Sequence, residues 1–478
     1  MVFSSLNFIF IFLPVFLIFY GFIPQLFPIK GFDPPKLQYK NFVLLLGSMV
    51  FYAFGLTEHP ALYISLFILT ILFNFIIGNF IGHFRQSAKL WLILGIVFNF
   101  WWLIFFKYTG FIFTNLNHIG FSLTVKDLIA PLGISFVTFQ NVSYLVDVYR
   151  KETEPEESFI NYGVYISMFP QLSNGPIVRY KDVAEDLVNE RRHTPSKIEN
   201  GLKTFTIGLG YKVILADQIG LLWRDINGIG FKSISTGLAW LGIIAYSFQL
   251  YFDFCGYSLM AMGLGELFGF KIPENFRHPY AATSMSDFWR RWHITLGSWF
   301  REYIYIPLGG NRQGSGKTVR NFLIVWLFTG IWHGASWNFV FWGLALFGLI
   351  MLERFYIGDF LKEHRIAAHL YMALVIPLTW LLFAVTDMKQ IGIYIMRLIP
   401  FVKASGIVHE GDCAEKWAVY WKYFIGCFVF CTPIPEKIYK KIKNSPVTPV
   451  ILLAVFWFSV YIMYKRGGNV DPFLYDRF

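Results

Sequence analysis

Apolar stretches about as long as a bilayer is thick recur from one end of this sequence to the other, and no other feature restricts the fold so strongly. A hydrocarbon core about 30 Å thick takes roughly 20 apolar residues of helix. On that ruler, candidate segments lie near 6–27, 41–57, 60–82, 90–113, 128–148, 203–223, 237–268, 320–352, 367–386, 389–402, 418–433 and 448–465. Several are too short or too long for a clean span, so about 10–12 transmembrane helices are expected. Composition points the same way. Of 478 residues, 55% are hydrophobic, only 15% are charged and 54 are Phe; a soluble domain carries about 25% charged residues. One water-soluble core cannot enclose that much apolar surface, so much of it must face the lipid bilayer. The expectation is an all-α polytopic integral membrane protein, a single domain over residues 1–478.

The net charge of +11 comes from 41 Lys and Arg against 30 Asp and Glu. These basic residues gather in short loops between apolar segments, as the positive-inside rule requires, so no nucleic-acid partner is expected. Basic loops at Lys30–Lys40 and His83–Lys89 flank a short acidic turn at Glu58–Pro60. Alternation then puts both basic loops in the cytoplasm and the N-terminus outside. The stretch Leu6–Phe27 has no basic residue before it and reads as a first span, not a cleavable signal. Cys255, Cys413, Cys427 and Cys431 show neither disulfide nor metal-ligand spacing and read as small core residues, so no metal site is expected. No internal repeat is evident.

Two stretches depart from simple spans. Residues 322–352 carry no charge, and a continuous helix of that length would reach about 46 Å. A break is therefore expected, with Gly330, Gly334 and Gly343 as candidate sites; broken helix at membrane depth must pack in protein or line a cavity. In the second stretch, Ser284–Tyr303, apolar residues recur at helical spacing with Asp287, Arg290, Arg291 and Arg301 on other faces. It reads as one amphipathic helix at the interface or beside a polar cavity.

Candidates for chemistry are few. His333 lies among uncharged residues in Thr329–Asn338 (TGIWHGASWN), where an ionisable group is costly and by default marks function. A histidine hydrogen-bonded between packed helices is the bland alternative. Imidazole suits proton abstraction, since its ordinary pKa is near 6.5 and burial favours the neutral base. His293 closes Asp287–His293 (DFWRRWH), forty residues earlier, and could instead belong to an interfacial aromatic belt. Asp253 and Glu266 are acids in an apolar run that either pair with a basic group or serve a substrate path. Arg277 and His278 could meet a phosphate or simply face headgroups. The glycine-rich loop Pro307–Thr318 lacks the first glycine of a phosphate cradle, having Asn311 there, and reads as a flexible basic loop.

Several segments together form a recognisable set: Phe252–Ser258 (FDFCGYS), Pro273–Phe276 (PENF), Asp287–Leu296 (DFWRRWHITL), Trp299–Arg312 (WFREYIYIPLGGNR) and Gly330–Asn338 (GIWHGASWN). This set resembles the membrane-bound O-acyltransferase superfamily, within it the branch of bacterial alginate O-acetylation most closely, with its signature core about 250–340. The resemblance implies spanning, interfacial and re-entrant helices around a central tunnel in the bacterial cytoplasmic membrane. It implies an acetyl group taken from a cytoplasmic thioester, acetyl-CoA by class, as a donor substrate rather than a resident cofactor. His333 falls on the family's near-invariant histidine, the general base, and His293 on its second catalytic polar position. Transfer would be direct, without an acyl-enzyme. Trp292, Trp332 and Trp337 would line the tunnel, Arg290, Arg291 and Arg301 would draw donor phosphates, and Asn338 and Asp253 complete the candidate binding set.

The implied partner is an extracytoplasmic SGNH-type acetyltransferase that passes the acetyl group to a polysaccharide. A D-alanyl transferase fed by a cytoplasmic acyl carrier protein is the alternative within the family, and a transporter or flippase the alternative outside it. The chain departs from the family pattern in two places: Cys255 stands where Ser is usual, and Asp476-Arg477 interrupts an aromatic C-terminal ending.

Overall fold

A computed structural model describes residues 1–23, 35–56, 58–125, 128–191, 194–402, 406–468, 471, 473 and 474. Residues 30–34 of the basic loop at 30–40, Arg192 and the terminal residues 475–478 lie outside them. The described residues form helices joined by turns and loops, with no strand among them. Seven of these helices are long and apolar enough to cross a membrane: Pro60–His83, Ala88–His118, Pro195–Ile229, Thr236–Phe268, Trp337–Glu363, Arg365–Ala384 and Val447–Lys465. The pair Asp412–Phe430 and Ile434–Ile442, bent by 70°, makes an eighth if it is one broken span. The protein is a multi-pass membrane protein.

Two apolar segments on the ten-to-twelve tally serve other purposes. Helix Ile134–Arg150 is buried along most of its length, including Gln140, Asn141, Ser143 and Asp147. Protein, not lipid, surrounds it. Residues 389–402 yield the helix Met388–Leu398, at about 16 Å too short to cross. An apolar run marks burial without saying what does the burying.

The chain forms two compact units, Met1–Thr206 with Tyr257–Glu274 and Met463–Val470, and Ile207–Gly256 with Asn275–Ile462 and Asp471–Phe478. In the first, aromatic rings gather around Phe169, with Phe12, Phe16, Phe51 and Phe268 at centroid distances of 5.3–5.4 Å. Polar groups at this depth find protein partners, because lipid offers none. Asn74 and Asn99 exchange side-chain hydrogen bonds of 3.2 and 2.6 Å between neighbouring helices. Buried Arg191 donates to the Asn41 Oδ1 at 2.6 Å and to the Asp186 carbonyl at 2.6 Å.

In the second unit, the uncharged run breaks as expected. It becomes a hairpin of two helices, Ser315–His333 and Trp337–Leu352, turning at residues 334–336. Two of the three candidate glycines serve the packing rather than the turn. A methyl on Gly330 would strike the Phe339 carbonyl, and one on Gly343 would strike the Trp326 carbonyl. Small residues at a helix crossing let the backbones touch. Gly334 occupies the turn itself, where a methyl would run into the Phe339 ring.

Asp253 belongs to a buried ion cluster in this unit. Lys212 Nζ lies 2.7 Å from Asp217 and 2.6 Å from Asp253, with all three side chains 6% exposed or less. The second Asp253 oxygen accepts the Leu474 N–H at 2.8 Å, and Lys212 sits 4.7 Å over the Phe473 ring. Described residues of the C-terminal tail thus dock onto their own chain.

Candidate functional site

The expected single amphipathic helix over 284–303 is instead two short helices, Met285–Arg291 and Ile294–Phe300, with Arg301–Tyr305 continuing as a wider turn. Its start is well capped. Ser284 Oγ accepts the Asp287 N–H at 3.1 Å and the Glu353 carboxylate accepts the Met285 N–H at 2.6 Å. The break falls at His293, in the left-handed region with φ 46° and ψ 53°. For a residue with a Cβ that conformation costs about 1–3 kcal/mol, and such strain clusters at working sites.

A loop eighteen residues upstream offsets the cost. The Asn275 carbonyl accepts the Ile294 N–H at 3.0 Å, and the Arg277 N–H donates to the Arg291 carbonyl at 2.9 Å. The Asn275 side-chain oxygen accepts from the Thr295 N–H at 3.3 Å, from Thr295 Oγ1 at 3.0 Å and from His293 Nδ1 at 3.1 Å. Asn275 therefore serves the first turn of Ile294–Phe300, whose N–H groups have no acceptor within the helix, as a cap borrowed from elsewhere in the chain.

His293 borders a cavity of about 440 Å³, together with Trp289, Trp292, Arg290, Arg301 and Trp326. Its ring is 2% exposed and stands edge-on to Phe254 at 4.7 Å. Burial pushes the imidazole pKa down to about 3, so the ring is neutral.

His333 is the last residue of the hairpin's first helix and is 5% exposed. Its ring meets Trp342 and Phe383 nearly at right angles, at 5.0 and 5.2 Å. Trp332 neighbours both histidines, 5.0 Å from His333 and 6.4 Å from His293 between ring centroids. Residues forty apart in the chain thus meet around one indole.

The remaining candidates divide. Trp292, Arg290 and Arg301 border the cavity. Arg291 instead pairs with Asp287 at 3.1 Å. Trp337 is 49% exposed and stands apart from that lining, because it opens the hairpin's second helix on its outer side. Asn338 is buried and donates to the Leu382 carbonyl at 2.9 Å. Asp253 lies in the ion cluster with Lys212, away from the cavity lining, since a carboxylate at this depth needs a cation. Asn275, Thr295 and Trp289 went unassigned from sequence. The PENF segment was the available signal for Asn275, but nothing in a linear pattern says which atoms it meets.

Residues 155–360 match the family described as MBOAT, membrane-bound O-acyltransferase family. Among relatives, a probable alginate O-acetylase AlgI of Azotobacter vinelandii is 41% identical over 351 residues, covering 72% of this chain and 66% of that protein. A peptidoglycan O-acetyltransferase of Helicobacter pylori is 38% identical over 428 residues, 82% of this chain and 78% of that one. A teichoic acid D-alanyltransferase of Bacillus subtilis is 30% identical over 234 residues, 46% and 57% of the two chains. The chain spans slightly under two thirds of the length of the first two alginate relatives. It belongs to the membrane-bound O-acyltransferase family.

Proposed function

We propose that this protein is an O-acetyltransferase, taking an acetyl group from a cytoplasmic thioester, acetyl-CoA by class, and delivering it across the membrane for O-acetylation of an extracytoplasmic polysaccharide through a partner transferase. The observation that carries this reading is the meeting of His293 and His333 around Trp332, with His293 on the wall of a cavity that Arg290 and Arg301 also border. Relatives at 38–41% identity bear O-acetylation names, whereas D-alanyl transfer appears at 30% over under half of this chain.

In this scheme His333 accepts the proton of an acceptor hydroxyl while its oxygen bonds to the thioester carbonyl carbon. The tetrahedral adduct collapses with cleavage of the C–S bond. The proton on His333 passes to the departing thiolate, leaving an ester, a free thiol and a neutral imidazole. General base catalysis of this kind contributes about 10²- to 10⁴-fold. Arg290 and Arg301 offer charge-assisted bonds to donor phosphates.

The test uses purified protein in proteoliposomes with radiolabelled acetyl-CoA, following thioester loss and label capture by hydroxyl acceptors. Turnover in the wild type that is lost in His333→Ala and strongly reduced in His293→Ala is expected. Turnover that survives the loss of His333 refutes the base assignment. Label captured only from a charged carrier protein would favour D-alanyl-type transfer.

A further inference from the structure

We propose that Asn275 is a positioning residue that locks His293 in the Nδ1–H tautomer, so that Nε2 is the nitrogen that accepts a hydrogen bond within the transfer site. The Thr295 backbone N–H can only donate, and it points at the Asn275 side-chain atom 3.3 Å away. That atom must therefore be the amide oxygen, which removes the usual ambiguity between the two ends of an asparagine. The Thr295 hydroxyl reaches the same oxygen at 3.0 Å.

His293 Nδ1 lies 3.1 Å from this oxygen, and two acceptors cannot share a bond, so Nδ1 carries the proton. In a neutral imidazole the other nitrogen is then unprotonated. The ring is 2% exposed and packed against Phe254, and the charged groups on the same cavity wall are Arg290 and Arg301; neither favours an imidazolium. Backbone and ring are held by the same residue, because the Asn275 carbonyl also takes the Ile294 N–H. One asparagine thus sets both the left-handed bend and the proton's location.

The consequence narrows what His293 can do. With Nε2 as an acceptor, His293 does not donate to a developing oxyanion. It receives a hydrogen bond from a donor in the cavity, such as the acceptor hydroxyl or an amide N–H of the thioester's arm. This consequence rests on the acyl-transfer reading; the tautomer itself does not.

The test is nitrogen-15 NMR of the full-length protein with ring-labelled histidine, the His293 signals assigned by their absence in His293→Gln. The expected spectrum has the proton on Nδ1. A proton on Nε2 overturns the proposal, whatever the enzyme's activity. Asn275→Asp keeps an acceptor oxygen in place and is expected to keep the tautomer and most turnover. Asn275→Leu removes it and is expected to mix the tautomers and to cut kcat by about ten- to a hundredfold, the size of loss seen when the bond orienting a metal-ligating histidine is removed. If Asn275→Leu keeps both tautomer and rate, Asn275 is not the positioning residue. If Asn275→Leu does not accumulate in the membrane, the wild-type and Asn275→Asp spectra decide the question. An Nδ1–H ring alongside a fully active His293→Gln would leave the tautomer standing and sink the role given to His293 in transfer.

Discussion

The hairpin crossing offers the sharpest link between packing and chemistry, through the substitution Gly330→Ala. The added methyl would overlap the Phe339 carbonyl oxygen and lie 3.3 Å from Gly343 Cα. Both are backbone atoms, so no side chain can swing away. Restoring ordinary contact at about 3.5 Å requires the two helices to part by roughly 1 Å. Overpacking of this kind costs about 1–3 kcal/mol. His333 follows three residues later, about 4.5 Å along the helix axis, so the separation is passed on to its ring. Misplacement of a reacting group by about 1 Å can lower turnover about a hundredfold. Gly348 supplies the control, since nothing lies within 4 Å of a methyl placed there. Gly348→Ala should be neutral or stabilising by about 0.5–1 kcal/mol, the gain from relieving a mid-helix glycine. Both variants would be assayed for thermal stability in detergent and for acetyl transfer in proteoliposomes. Equal behaviour of Gly330→Ala and Gly348→Ala in both assays would refute the reasoning.

Two further outcomes follow from buried charge. Lys212→Met leaves two buried carboxylates without their shared cation and should destabilise by about 3–5 kcal/mol, whereas Asp217→Asn leaves the Lys212–Asp253 pair balanced and should cost much less; thermal unfolding of the two variants checks the ranking, and equal losses contradict it. His293 is held neutral by burial down to about pH 3, against about 6.5 in an unfolded chain. The unfolded state therefore binds the extra proton between those values, and stability falls as pH drops below about 6.5. Melting curves across that range should show this slope shrink in His293→Gln; an unchanged slope removes His293 as its source.

Much of the architecture is legible in the sequence because the bilayer imposes a length. Segments read near 60–82, 90–113 and 448–465 appear as Pro60–His83, Ala88–His118 and Val447–Lys465. The uncharged run at 322–352 had to break, since the helix would overshoot the membrane, and it does so beside His333. Less legible was the medium around each apolar segment. Ile134–Arg150 carries Gln140, Asn141 and Asp147 on faces that other helices cover, and hydropathy cannot distinguish a lipid neighbour from a protein one. The break at His293 was also hidden. Helical periodicity continues straight through 284–303, and the left-handed bend depends on bonds from Asn275.

What the sequence determined by itself is therefore the class of structure and the scarce polar residues worth suspecting, because transfer from water to lipid acts on each segment locally. His333 could be singled out from its uncharged flanks alone. Tertiary structure decided which of those residues work together. It set Trp332 beside both histidines, assigned Asp253 to Lys212 rather than to the cavity, and made Asn275, a motif residue with no role assigned from sequence, the support of His293. Apart from the neighbours Trp332 and His333, these pairings join residues from eighteen to about forty positions apart. They are selected by the collective packing of helices and by the need of every buried polar group for a partner, and no local pattern encodes that choice.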